Sequence, residues 1–163
     1  MVRADTDPAF LADAMLRGLA RWLRVGDYDT SDDHQEDDPD LVARARAEGR
    51  ILLTRDRNLV AELQPARALL IEANKPLRQL RELVDQMDPP PPEALFQRCL
   101  RCNRVVRTAT PTEVRDLTPE SARNLPGPFT RCPQCGRVYW PGSHTRRMRA
   151  LLVETLPEWA TLL

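Results

Sequence analysis

Cys99-x2-Cys102 and Cys132-x2-Cys135, separated by 29 residues, constrain this chain more than any other feature of its sequence. Two Cys-x-x-Cys pairs have the form of a four-thiolate zinc site, with a longer middle than the commonest spacings. Gly136 directly follows the second pair and supplies the positive φ that turns backbone N–H groups toward a thiolate. Asn103 holds the matching place in the first pair and is the next best residue for that conformation. The competing reading is two disulfides. The N-terminus, MVRADTDPAF, is acidic and lacks the apolar stretch of a secretory signal, so the expectation is a cytoplasmic chain with reduced cysteines. Four thiolates close the coordination shell, so the zinc is structural, and it folds a segment too small for a large core of its own.

Charge is divided along the chain. Residues 1–95 carry 13 basic and 19 acidic side chains, whereas residues 96–150 carry 11 arginines against three acids. An acidic body joined to a basic appendage fits a protein that holds cations with one part and a polyanion with the other. The run Asp88-Pro89-Pro90-Pro91-Pro92-Glu93 cannot form a helix and predicts a stiff spacer. The expected organisation is therefore a body over 1–88, a linker over 89–95, a zinc ribbon over 96–150 and an apolar docking segment over 151–163. With 163 residues and no apolar run near the ~18 that span a membrane, one soluble domain with an appendage is expected.

Strand and helix signals alternate through the body. Ala9–Ala12, Tyr28–Thr30, Ile51–Thr54 and Ala68–Ile71 read as short strands. Helices are expected over 14–25, ended by Gly26, from Pro39 with Asp38 as its cap, over 57–63 and over 77–87. Such alternation predicts a parallel α/β sheet with helices on both faces. Ligands of such sheets bind beyond the carboxyl ends of the strands. Asp13 and Asp56 sit at two of those ends, and Asp38 opens the helix between them. Converging carboxylates repel unless a cation neutralises them, and Mg²⁺ or Mn²⁺ suits oxygen ligands. Phosphodiester hydrolysis uses that arrangement. The sequence has no P-loop and no nucleophile-elbow serine. Each aspartate alone is also explained as a cap or turn residue, and spacing does not choose among Asp32, Asp33, Glu36, Asp37, Asp38 and Asp40.

Four segments occur in order: Phe10-Leu11-Ala12-Asp13-Ala14-Met15-Leu16, Leu19-Ala20-Arg21-Trp22-Leu23-Arg24, Gly26-Asp27-Tyr28-Asp29 and Arg50-Ile51-Leu52-Leu53-Thr54-Arg55-Asp56. Together with Trp140-Pro141-Gly142-Ser143-His144 they resemble the Mut-seven C-terminal RNase domain family over about residues 10 to 149. The resemblance implies a PIN-like nuclease fold bearing a zinc ribbon, and metal-dependent, endonucleolytic cleavage of RNA. It assigns the catalytic metal to Asp13, Asp56 and Asp38. Asn58 stands where related PIN-like proteins often place a further acid, which leaves a second metal open. Expected RNA contacts are Arg21, Arg24, Arg55, His144, Arg146 and Arg147, with single-stranded RNA as the partner; solvated arginines and a turn histidine are the plainer readings. Tyr139 and Trp140 fit either base stacking or packing under the ribbon. A non-catalytic RNA-binding or ribosome-associated module is the rival function, and a phosphatase acting on small esters a third.

Overall fold

In the computed structural model, which describes residues 7–32 and 35–162, strand β1 (Phe10–Ala12) is buried along its whole length. Its neighbours are β2 (Thr30–Asp32) on one side and β3 (Ile51–Thr54) on the other, with β4 (Ala68–Leu70) beyond β3. All pairings are parallel and the strand order is β2-β1-β3-β4. Successive side chains of a strand face opposite sides. Phe10, Ala12, Ile51 and Leu53 therefore enter one half of the core, and Leu11 and Leu52 enter the other. The first half is covered by α1 (Arg17–Val25) and α4 (Pro76–Met87), the second by α2 (Asp38–Ala47) and α3 (Arg57–Leu63). This is the expected three-layer parallel α/β body. Burial on both faces explains why Ile51-Leu52-Leu53 is continuously apolar.

Helix α1 approaches α4 closely enough that a Cβ on Gly18 would come within 2.6 Å of Pro76 Cγ. A 3-10 turn, Ala14–Leu16, precedes α1 in place of its expected first turn. Gly26 follows α1 with φ −80°, and the left-handed residue is Asp27. The expected strand at Tyr28–Thr30 is shifted to Thr30–Asp32, because Tyr28 is buried and its ring packs on Phe10 with centroids 6.1 Å apart. Helix α2 is capped by Asp37, whose side chain accepts from Asp40 N at 3.0 Å; Asp38, expected as the cap, is already helical.

The later residues form an antiparallel sheet of β5 (Arg107–Thr108), β6 (Thr130–Arg131) and β7 (Val138–Tyr139). Helices α5 (Pro111–Leu117) and α6 (Glu120–Arg123) fill the loop between β5 and β6. Thr110 and Glu113 close α5 with a reciprocal capping box. Helix α7 (Ser143–Thr155) and a 3-10 stretch, Pro157–Leu162, follow, so one helix runs across the boundary expected at residue 150.

Body and ribbon share a core. The proline run lies against the body: Pro89 and Pro92 are buried, Tyr28 Oη donates to the Pro90 carbonyl at 2.5 Å and Phe96 N to the Val25 carbonyl at 2.9 Å. Met148, Leu152, Leu156 and Trp159 join Phe10, Leu19 and Leu80 in the larger core cluster. Each such side chain contributes ~1.5–3 kcal/mol by leaving water. Four of them approach the ~5–15 kcal/mol that separates a folded domain from its unfolded chain. Among the described residues no helix is long and apolar enough to cross a membrane.

Candidate metal centres and nucleic-acid interface

The four cysteine Sγ atoms all lie within 4.8 Å of one another. A tetrahedral ion with ~2.3 Å zinc–sulfur bonds needs edges of about 3.8 Å, and Cys99 Sγ and Cys135 Sγ stand 3.7 Å apart. The donor set fits zinc. Two knuckles of the same construction build it. Asn103 N donates to the Cys99 carbonyl at 2.9 Å and Gly136 N to the Cys132 carbonyl at 3.0 Å. Cys102 N points at Cys99 Sγ, 3.3 Å away, and Cys135 N at Cys132 Sγ, 3.5 Å away. Asn103 has φ 63° and Gly136 φ 74°, as their places in the sequence require.

Burial pushes the Cys99 thiol up, but hydrogen bonds from Tyr139 and from the N–H groups of Cys102 and Arg101 outweigh it and bring it to about 7. Cys102 is pushed up to about 12, first by burial and then by its sulfur neighbours. Cys99 therefore ionises readily, and Cys102 and Cys132, both pushed up first by burial, need a cation to follow it. Tyr139 Oη accepts from Leu100 N at 3.2 Å and lies 3.1 Å from Cys99 Sγ, so its hydroxyl is engaged at the sulfur site.

The carboxylates stand at the opposite kind of place, on the sheet's carboxyl edge. Chain direction reverses its side-to-side progress between β1 and β3, the point where open parallel sheets bind ligands. Asp13 follows β1 and Asp56 lies two residues beyond the end of β3. Thr54 links them: its Oγ1 donates to Asp13 Oδ2 at 2.5 Å and accepts from Asp56 N at 3.0 Å. Asp13 is 7% exposed, and its Oδ1 accepts from Met15 N at 2.9 Å. Asp56 uses Oδ1 to cap α3 through Asn58 N and Leu59 N, at 2.8 and 3.1 Å. Asp56 Oδ2 accepts no hydrogen bond among the described residues.

Asp38 is exposed on the first turn of α2. Among the described residues the cysteines are the one group of three or more His, Cys, Asp or Glu side chains close enough to share an ion, so Asp38 does not join Asp13 and Asp56 in such a group. Asp33 and His34, in the same acidic loop, lie outside the described residues. The third acid at the carboxyl edge is Asp32, the last residue of β2, and Arg24 pairs with it at 2.9 Å.

Arg24 is 3% exposed, which corrects its expected role as a phosphate contact. Its Nε donates to the Thr30 carbonyl at 2.8 Å and its Nη1 to the Leu100 and Arg101 carbonyls at 3.0 and 3.3 Å. With Asp32 on Nη2, the guanidinium is a strut between β2 and the first knuckle. Its partners, up to 77 residues away in the chain, carry no local sequence signal.

Arg21 and His144 are brought together, with Arg21 Nη2 3.0 Å from His144 Nε2 across body and α7. Both are exposed and line a cleft of about 1130 Å³ between the ribbon, α1 and α7. Arg146 and Arg147 are exposed on α7 but do not line it. Arg55 is half-buried beside Asp56 and donates to the Glu72 carbonyl at 3.3 Å. The roles of Thr54 and Asn103 as connectors were invisible in sequence.

Comparison with known families matches residues 8–152 to the Mut7-C RNAse domain. Comparison with curated proteins and with solved structures returned no significant match.

Proposed function

From the premise that the chain belongs to the Mut7-C RNAse domain family, a ribonuclease family with RNA as its implied substrate, we propose that it is a divalent-metal-dependent ribonuclease. It cleaves single-stranded RNA endonucleolytically at the carboxyl edge of the parallel sheet, in the cytoplasm. The observation that supports this reading is the pair Asp13 and Asp56, flanking the switch point and joined through the Thr54 hydroxyl.

The donor chemistry fits Mg²⁺ or Mn²⁺. Such ions keep several waters and bind through one or two carboxylates plus substrate phosphates, so two acids suffice and Asp38 need not approach. When bound, the ion supplies an activated water and charge stabilisation for the phosphate being cleaved. Asp13 is presented in a fixed rotamer by Met15 N and Thr54 Oγ1. Asp56 anchors the start of α3 with one oxygen and offers the other. Arg21 and His144 hold the strand's phosphates, with Arg55, Arg146 and Arg147 on its flanks. Zinc in the four-cysteine site holds the ribbon in place beside α1.

Purified protein with Mn²⁺ should cut an internally labelled single-stranded RNA, and Asp13→Asn with Asp56→Asn should abolish cutting while leaving one zinc per chain. Undiminished cleavage by that double variant overturns the assignment. The absence of a three-carboxylate group among the described residues, together with Asn58, favours a second reading, a non-catalytic RNA-binding module. That reading requires the wild-type protein to bind RNA without cutting it at any Mn²⁺ concentration.

A further inference from the structure

The cleft beside Arg21 carries an asymmetry that its position alone does not explain. Four arginines and a histidine line it, and no aspartate or glutamate does, in a chain with equal numbers of acidic and basic residues. Arg101 and Arg137 are exposed there and make no ion pair among the described residues. Elsewhere among the described residues nine arginines are paired with carboxylates, as Arg50 is with Asp29 and Glu48 and Arg107 with Glu113. A wall that carries cations and no acid is an electrostatic complement to a polyanion.

Aromatic rings form the rest of the wall. Trp140 is half-buried along the cleft, and its indole N–H makes no hydrogen bond among the described residues. Gly142 keeps that edge of the ring open, because a Cβ there would sit 3.1 Å from Trp140 Nε1. Phe96 lies at the junction of cleft and core with φ 61°, a left-handed conformation costly for a bulky residue. Its backbone N–H bond to the Val25 carbonyl holds it there. Such strain is retained where surrounding structure fixes a side chain for use. The cleft, at about 1130 Å³, also exceeds the ~300–1,000 Å³ of small-molecule pockets.

We propose that this cleft is the track of a single RNA strand, in which Arg101 and Arg137 hold consecutive phosphates while Trp140 and Phe96 stack its bases. The proposal rests on the ribonuclease reading and adds to it the path of the substrate and the side chains that require it to be single-stranded. Base stacking on aromatic walls with cations along the backbone is sequence-tolerant and requires unpaired bases. A duplex keeps its bases inside and presents no ring face to Trp140.

The test uses the full zinc-loaded chain carrying Asp13→Asn and Asp56→Asn, so that binding is read without cleavage, with a fluorescent single-stranded RNA and its duplex as probes. Adding Arg101→Ala and Arg137→Ala should lower the slope of log affinity against log salt by about 1.4, at ~0.7 per single-strand phosphate. These substitutions leave the fold intact, because both residues serve it through their carbonyls, to Arg24 and Cys132. Trp140→Leu at unchanged zinc content should weaken single-strand binding about tenfold or more and leave duplex binding unchanged. Arginine variants with wild-type affinity and salt slope overturn the proposal, as does equal weakening on the two probes. Cleavage by the wild type together with such a result retires the track and keeps the ribonuclease. Absence of cleavage with binding still lost in the variants does the reverse.

Discussion

The side-chain carbonyl of Asn103 accepts a hydrogen bond from the backbone N–H of Thr30 at 3.0 Å. Thr30 begins β2, an edge strand of the parallel sheet, and Asn103 is the left-handed residue of the first cysteine knuckle. Its amide also donates to Asp29 at 2.6 Å. The zinc ribbon thus supplies the partner that the exposed side of β2 lacks, a local cover for a sheet edge.

Asn103→Gly should separate the two duties of this residue. Glycine adopts the positive φ freely, so zinc stoichiometry should stay at one. The N–H of Thr30 loses its partner and Asp29 is left with Arg50, so stability should fall by ~1–3 kcal/mol, read from urea unfolding of the zinc-loaded protein. Unchanged stability at unchanged zinc content would show that the turn, and not the bridge, is what Asn103 provides.

Cys132→Ser, which breaks the zinc site, should destabilise the whole molecule in one transition. Arg24 ties β2 to the knuckle carbonyls, and the larger core draws on residues from both sides of the ribbon. Hydrogen exchange at the amides of β1 and β3 should accelerate in the variant along with those of β6 and β7. Body amides that keep wild-type protection would show two independent folding units.

Asp56→Asn should leave the melting temperature nearly unchanged, because asparagine caps α3 about as well as aspartate. Asp13→Asn should cost ~1 kcal/mol, since an amide N–H opposite the Thr54 hydroxyl forces that hydroxyl to accept twice. Both should lower cleavage by at least ~10²-fold through lost metal binding. Asp38→Asn touches no cap and should change neither melting nor cleavage greatly. A cleavage loss at Asp38 equal to the other two would place it on the metal.

Glu113 is held well below the usual carboxylate range, first by Arg107, then by the Thr110 N–H and by Arg131. A depressed carboxyl stabilises the fold above its unfolded value and loses that contribution as pH falls toward its folded one. The stability difference between wild type and Glu113→Gln should therefore be constant from pH 8 to about 5 and shrink only below ~4.3. A difference that instead grew on acidification would contradict the ion-pair account.

The parts of this fold written in local sequence were legible. Apolar continuity fixed Ile51–Thr54, and the knuckle spacing fixed the sulfur cluster. Failures arose where several residues offered the same local chemistry or where the partner was remote. Asp37 and Asp38 are equally good caps on paper, and only the extended backbone at Asp37 decides between them. Arg24 reads as a solvated helix arginine until carbonyls of Leu100 and Arg101 arrive beside it. The placement of Asp13 and Asp56 at one sheet edge was legible because parallel sheets bring strand ends together; the threonine hydroxyl between them was not.

Helix α7 returns to the body after the ribbon and inserts Met148 and Leu152, with Leu156 and Trp159 beyond it, beneath Tyr28 and α4. During synthesis, residues 7–87 emerge long before these four side chains exist, so the nascent sheet waits with one face of its core unfilled. The cysteines emerge in that interval. Metal capture then precedes closure of the core, and a chain starved of zinc at the ribosome should be presented to chaperones and proteases as an unfinished nuclease, with its greasy face still open.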